Sequence, residues 1–337
     1  MSDHGGPRAA IIGAGLMGRW HADAVRKAGG RVTVIVDPND AARETLGRRY
    51  PKARLAPELD PTFVARHANA AHVCTPLSTH AAVVRGVVEA GLHALVEKPF
   101  AESADSTVRL LSVAEARGVI VCPVHQFVFQ DGVQRIFEWM PGLGRVCQLE
   151  FSTRSAGAAN DDQASRDELV AEILPHPLSL VAALLDAPLG AQQWQIVYPS
   201  AGELRAVTTI GGVVVAMAIS AHGRPTENVL RVVGTAGSAT ADLFHGFAVR
   251  QPGLVSRQAK MAQPFVAAGL TLASASLNLA RRALLREPAY PGLRELVRRF
   301  YSATRGERPV PFSPASIADI ACARDRIIGE LRAVAPT

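Results

Sequence analysis

The first third of the chain places its hydrophobic residues in short continuous runs, at 9–12, 31–36, 71–74, 93–96 and 119–122. Runs without polar alternation predict strands buried on both faces, as in a parallel sheet. Between them the apolar positions recur with helical spacing, at 17–28, from Ser78 or Thr79 to 90, and from a Ser103 cap to 117. Strand and helix in strict alternation predict a doubly wound parallel sheet.

After residue 122 the pattern changes. Residues 143–154 alternate like a strand, a polar, mobile loop is expected over 155–167, and a helix is expected to begin near Pro175. β-Branched runs at 194–198, 203–210, 213–221 and 228–234, separated by Gly or Pro turns, predict successive antiparallel strands of one open sheet. A leucine-rich helical pattern follows at 265–286, then a basic helix to Tyr301 and a last helix at 316–334. The expected architecture is α/β, with one domain over residues 1–122 and a second over 123–337, the last helix packing back on either domain.

Composition narrows this picture. The chain has 337 residues, 48% hydrophobic and 20% charged, enough for two globular cores. The amino terminus carries no apolar signal segment, and no stretch reads as long enough to span a bilayer. Cys74, Cys122, Cys147 and Cys322 are scattered without Cys-x-x-Cys spacing, so neither a metal site nor a disulfide framework is expected, and a reducing cytoplasm is the expected location.

The first strand runs into Gly13-Ala14-Gly15-Leu16-Met17-Gly18 and then into a helix. A glycine fingerprint in that setting allows a tight turn, and the amides at Leu16 and Met17 open a helix N-terminus toward a pyrophosphate. The second strand ends in Asp37, 19 residues after Gly18, where an acid holds the adenosine ribose diol. This predicts NAD in preference to NADP, whose 2′-phosphate would meet the carboxylate. Two further strands end in Thr75-Pro76, with His80 four residues on, and in Glu97-Lys98-Pro99. All these ends fall on one sheet edge, where open α/β sheets bind ligands. A lysine at that edge is placed to pass a proton to and from a ligand.

Taken together, the glycine turn with Asp37, Cys74-Thr75-Pro76 with His80, and Glu97-Lys98-Pro99 resemble the Gfo/Idh/MocA oxidoreductases, the family of glucose-fructose oxidoreductase and inositol dehydrogenase. The resemblance implies an NAD(P)-binding Rossmann domain, then an α/β domain with a large open antiparallel sheet that carries a substrate pocket and often a subunit interface. It implies Gln126 as a neighbour of the nicotinamide, although Val128 stands where relatives carry an arginine. It also implies a carboxylate and a histidine four residues apart, here Glu172 and His176, sharing a helix face. His176 is then a candidate to hydrogen-bond a sugar hydroxyl or exchange a proton; His125, His222 and His245 read as packing or turn residues.

The net charge of +6 is concentrated toward the end. Residues 250–308 hold eleven Lys/Arg against Glu287, Glu295 and Glu307, leaving the rest of the chain near −2. An amphipathic helix packing on the sheet or on a second subunit is the simplest reading, with a membrane-surface helix the lesser one. Arg281, Arg282 and Arg286 are candidates to attract a phosphorylated or nucleotide-linked sugar. No aromatic or recognition motif accompanies the charge, which excludes a nucleic-acid partner.

The expectation is an NAD-dependent enzyme moving hydride between nicotinamide and a secondary alcohol or ketone of a sugar or cyclitol, with Lys98 as acid/base, no metal, and a dimer or tetramer implied by the resemblance. Two alternatives stay open. One is an enzyme that uses tightly bound NAD transiently for net elimination, hydrolysis or epimerisation. The other is a non-catalytic NAD-binding regulator.

Overall fold

The computed structural model describes residues 6–155, 162–253, 256–287 and 289–334. The chain divides into two units. The first runs through His125 and takes back Leu293–Ala321; the second comprises Gln126–Gly292 and the chain from Cys322 on. The division thus falls three residues after 122, and the segment that returns to the first unit includes helix Leu293–Thr304 and the start of the last helix.

In the first unit, strands β1 (Arg8–Ile12), β2 (Arg31–Val36), β3 (Arg54–Ala56), β4 (Ala70–Val73), β5 (His93–Val96) and β6 (Val121–Pro123) form one sheet. Its order is β3-β2-β1-β4-β5-β6, all parallel. The chain winds outward from β1 in one direction and from β4 in the other, so a crevice opens at their carboxyl ends. Ala9, Ala10, Ile11, Ala71, Val73, Leu95 and Val96 are wholly buried, which is why these strands read as unbroken apolar runs. Helices Leu16–Lys27, Leu77–Glu89 and Ala104–Ala116 supply the crossovers. Ser103 caps the last, its Oγ accepting from the Ser106 amide. Neither Ser78 nor Thr79 caps Leu77–Glu89: Pro76 holds that position, and the Thr79 hydroxyl turns back to Thr75 Oγ1 and the Pro76 carbonyl, both at 2.8 Å.

In the second unit, β7 (Val146–Arg154), β8 (Gln195–Val197), β9 (Glu203–Ile210), β10 (Val213–Ser220), β11 (Glu227–Gly234), β12 (Gly237–Asp242) and β13 (Phe247–Pro252) form a seven-stranded sheet in the order β13-β12-β11-β7-β10-β9-β8. The sheet is open and mostly antiparallel, as expected; the exception is β7, which inserts between β11 and β10 and pairs parallel with β10. Strand β7 begins three residues later than 143, since Met140–Leu143 forms a 3-10 turn. The loop expected over 155–167 lies partly outside the described residues. Its described end is helical from Gln163, with Asp162 as the cap accepting from the Ser165 amide.

Helix Gln163–Ile173 meets helix Pro175–Leu185 at Leu174, which keeps helical backbone angles. The span Gln163–Leu185 is, by length and composition, long and apolar enough to cross a membrane, contrary to expectation. With 56% of its window buried in the fold, it has the character of a core helix. The helix expected at 265–286 begins earlier and runs Arg257–Leu285.

Candidate active site

The crevice between β1 and β4 holds a cleft of about 770 Å³. Gly13, Gly15, Leu16, Met17, Asp37, Thr75 and Pro76 line it. The three glycines do different work. Gly13 sits at φ +94°, and a Cβ there would meet the Cys74 carbonyl oxygen at 2.5 Å. At Gly18 a Cβ would come within 1.9 Å of the Gly13 carbonyl oxygen, so the glycine lets the helix press onto the turn. A Cβ at Gly15 would meet nothing within 4 Å. Protein packing thus explains the outer two, while the middle one faces open space at the N-terminus of helix Leu16–Lys27, where a pyrophosphate is favoured.

Asp37 closes the rim of the cleft. Its Oδ2 accepts from the Ala14 amide at 2.6 Å and its Oδ1 from the Asn39 amide at 2.7 Å, so the carboxylate ties β2 to the glycine turn. Each oxygen keeps a second lone pair for a ligand hydroxyl. The helix cap that Asp37 could have supplied is Asn39. Arg43 Nη1 donates to the Asp37 carbonyl at 2.6 Å and Nη2 to Asp40. Pro57, Glu58 and Leu59, just after the short exposed β3, complete the far wall. Sequence reading missed them because three exposed residues carry no burial period.

Behind the cleft, the strand ends are fixed by buried polar groups. The His80 ring lies 2.9 Å from both the Pro99 and the Thr75 carbonyl oxygens and so joins the two strand-end turns. Lys98 precedes Pro99 through a cis peptide and is half-buried. Glu97 is buried beneath it; its Oε2 accepts from the Lys98 amide at 3.2 Å and its Oε1 lies 3.0 Å from His21 Nε2. Burial pushes the Glu97 carboxyl up, but the hydrogen bond from His21 and the Lys98 charge outweigh it and hold it below the usual range. Gly18, His80, Glu97 and Lys98 do not line the cleft itself.

A hydrogen-bonded chain unforeseen from the sequence continues inward from Glu97. His21 Nδ1 meets His72 Nδ1 at 2.9 Å, and His72 Nε2 meets the Tyr301 hydroxyl at 2.8 Å. Burial lowers the His72 pKa well below its usual value and raises that of Tyr301, so a neutral imidazole faces an intact hydroxyl. Tyr301 donates to His72 Nε2; His72 Nδ1–H must then donate to His21, and His21 Nε2–H to Glu97. Tyr301 comes from helix Leu293–Thr304, which packs on helix Leu16–Lys27. The only signal for it was His72, a histidine inside an apolar strand.

His125 is buried, lies edge-on to Phe312 and has its pKa lowered by burial to about 3.

The remaining expected residues belong to the second unit. Gln126 starts a 3-10 turn to Phe129; it is buried, and its Oε1 has no partner among the described residues. His176 is buried in the first turn of its helix, stacked on Phe127 with ring centroids 4.2 Å apart. Glu172, at the end of the preceding helix, is exposed, where its charge acts on Arg324. The two therefore do not share one environment. His222 and His245 have carboxylate neighbours, Glu203 at 3.4 Å and Asp242 at 2.7 Å. Arg281 pairs with Asp131, and Arg282 donates to the His245 carbonyl, so these arginines anchor their helix rather than stand ready for phosphate. Among the described residues, no cluster of His, Cys, Asp or Glu is placed to hold a metal ion.

Residues 7–125 match the oxidoreductase family with NAD-binding Rossmann fold, Gfo/Idh/MocA. An inositol 2-dehydrogenase of Rhodococcus erythropolis is 29% identical over 216 residues, 60% of this chain; the chain spans 59% of that relative's length. The UDP-N-acetylglucosamine 3-dehydrogenase GnnA of Acidithiobacillus ferrooxidans has the same fold, with a TM-score of 0.74 at 19% identity over 97% of this chain and 98% of that one. So does the WlbA dehydrogenase of Bordetella pertussis, solved with NADH and UDP-GlcNAcA, at 0.75 and 14% identity over 98% and 96%. With its glycine cradle and its 3-2-1-4-5-6 sheet, the segment 7–125 matches the NAD-binding Rossmann fold of the Gfo/Idh/MocA oxidoreductases, and the chain shares the fold of these solved dehydrogenases.

Proposed function

We propose that this chain is an NAD-dependent dehydrogenase or reductase acting on a secondary alcohol or ketone of a sugar, cyclitol or nucleotide-sugar, with Lys98 as its acid/base. The observation that carries this reading is the cradle at Gly15, open to the cleft, on the same sheet edge as a lysine whose backbone is pinned by Glu97. The amides opening helix Leu16–Lys27 would hold the pyrophosphate and the Asp37 carboxylate the adenosine ribose, which favours NAD over NADP by about tenfold or more in affinity. Bound NAD supplies the hydride acceptor or donor. Lys98 takes the proton from the carbinol oxygen in one direction and returns it in the other.

Gln126 and His176 are given ligand roles in this proposal. The unpartnered Oε1 of Gln126 accepts from an amide or hydroxyl of the ligand, because a buried acceptor left unmet costs about 1–3 kcal/mol. His176, held flat against Phe127, hydrogen-bonds a substrate hydroxyl. Glu172, being exposed, receives no proton-transfer role here.

Substrate class is tested by following NADH absorbance with myo-inositol, UDP-N-acetylglucosamine and related sugars, alongside a mass spectrum of whatever the denatured protein releases. Net NADH formation with one of them supports the proposal. Dinucleotide carried through purification, with substrate altered but no net NADH, would instead assign a redox-neutral reaction. Absence of any dinucleotide binding would leave a different function.

A further inference from the structure

Helix Arg257–Leu285 is 29 residues long, roughly 43 Å, and has no buried residue. It is held to its own unit by polar side chains: Asn278 and Arg282 donate to the His245 carbonyl, at 2.9 and 2.8 Å, and Arg281 pairs with Asp131. The apolar side chains lie on the other side. Of the two expected packings, on the sheet or on a second subunit, the helix lies beside β13 but does not bury its apolar face there.

The exposed face has a register. Phe265, Leu272 and Leu279 recur at intervals of seven and are 81%, 70% and 70% exposed. Leu270, Leu277 and Leu284 form a second seven-residue column, 41%, 70% and 84% exposed. At 3.6 residues per turn the columns are two ridges, with Gly269, Ala273, Ser276 and Ala280 as a small-residue floor between them. A strict seven-residue repeat is the spacing by which one helix seats another. Gly269 adds an independent sign: a mid-helix glycine costs about 1 kcal/mol relative to alanine, yet a Cβ there would meet nothing within 4 Å of this chain. Close approach of a second backbone gives that position a use.

The pattern also reads the same in both directions. Reversal about the point between Ser274 and Ala275 exchanges Phe265 with Leu284, Leu270 with Leu279, and Leu272 with Leu277. The floor follows, Gly269 exchanging with Ala280 and Ala273 with Ser276. A face with that symmetry is complementary to itself in antiparallel orientation, the requirement of a two-fold interface. Under the same reversal Arg281 and Arg282 fall opposite Ala268 and Ala267, so like charges do not meet. Six large apolar side chains, each 41% to 84% exposed, stand together on this face, a grouping that monomers rarely leave uncovered. A lipid surface requires neither a seven-residue register nor a palindrome.

We propose that this helix pairs antiparallel with the same helix of a second copy of the chain, about a two-fold axis between Ser274 and Ala275. The test is sedimentation equilibrium of the full chain at micromolar concentration, comparing the native protein with Leu272→Glu and Leu277→Glu. Both side chains are exposed, so each variant keeps the native circular dichroism and melting temperature of the separate chain. The expected result is that either substitution halves the mass of the particle. A native protein that sediments as a monomer, or variants that keep the native mass, would overturn the proposal. So would a native monomer that co-sediments with vesicles of phosphatidylglycerol and phosphatidylcholine, which would give the face to a membrane.

Discussion

Three glycines within six residues are chemically identical and physically distinct. Gly18→Ala drives a methyl group into the Gly13 carbonyl and is expected to lower stability by about 1–3 kcal/mol, read by urea denaturation. Gly15→Ala adds the same methyl to open space; it is expected to cost at most about 1 kcal/mol of stability while weakening NAD binding by calorimetry, since the methyl occupies the cradle. Sequence spacing identifies the fingerprint without distinguishing these roles, because what each Cβ meets depends on how the turn folds against itself and against Cys74. The buried chain from Tyr301 to Glu97 gives a second residue-scale expectation. Tyr301→Phe leaves His72 Nε2 without its donor and is expected to cost about 1–3 kcal/mol. His72 adds a pH dependence. Its folded pKa lies well below the ordinary 6.5, so the stability gained by keeping it neutral is present above that value and is lost as pH falls below it. Buried His125, shifted the same way, adds to the loss down to about pH 3. Unfolding measured from pH 7 to 5 is expected to show stability falling with pH, and His72→Phe to show a shallower fall. A pH-independent native stability over that range would contradict the burial argument.

At the scale of elements, capping separates what local chemistry decides from what the surroundings decide. Ser103→Ala is expected to lower stability by about 1 kcal/mol, because its hydroxyl satisfies the Ser106 amide. Ser78→Ala, at an exposed and uncapped site, is expected to stay within about 0.5 kcal/mol. The parallel strands were legible because burial on both faces writes an unbroken apolar run. Much of the second sheet was legible from alternation, but the parallel pairing of β7 with β10 was not, because register belongs to two distant segments at once. Strands β12 and β13 were missed where Thr, Ser, Gly and Arg dilute the pattern. Glu172 and His176 share a helical spacing, yet one is exposed and the other buried; spacing alone does not report which neighbours cover a face. Helix Arg257–Leu285 repeats that lesson: its amphipathic pattern was visible, but not which side it turns outward.

At the scale of the whole molecule, the two units have different chemical content. The first carries a dinucleotide cradle whose walls are backbone and glycine, with Lys98 fixed from below by Glu97. A ligand that binds only the folded state at a hundred times its Kd adds about 2.7 kcal/mol. NAD is therefore expected to raise the melting transition of the chain, and NADP to raise it less. In the proposed function this cradle and Lys98 together serve hydride transfer with proton exchange, and Lys98→Ala tests that role most directly once a substrate is in hand. The two quantities to measure side by side are the NAD dissociation constant and kcat. The account predicts an NAD affinity within about threefold of native and a kcat lower by roughly two orders of magnitude or more. A variant that turns over at the native rate would contradict it and remove Lys98 from the chemistry.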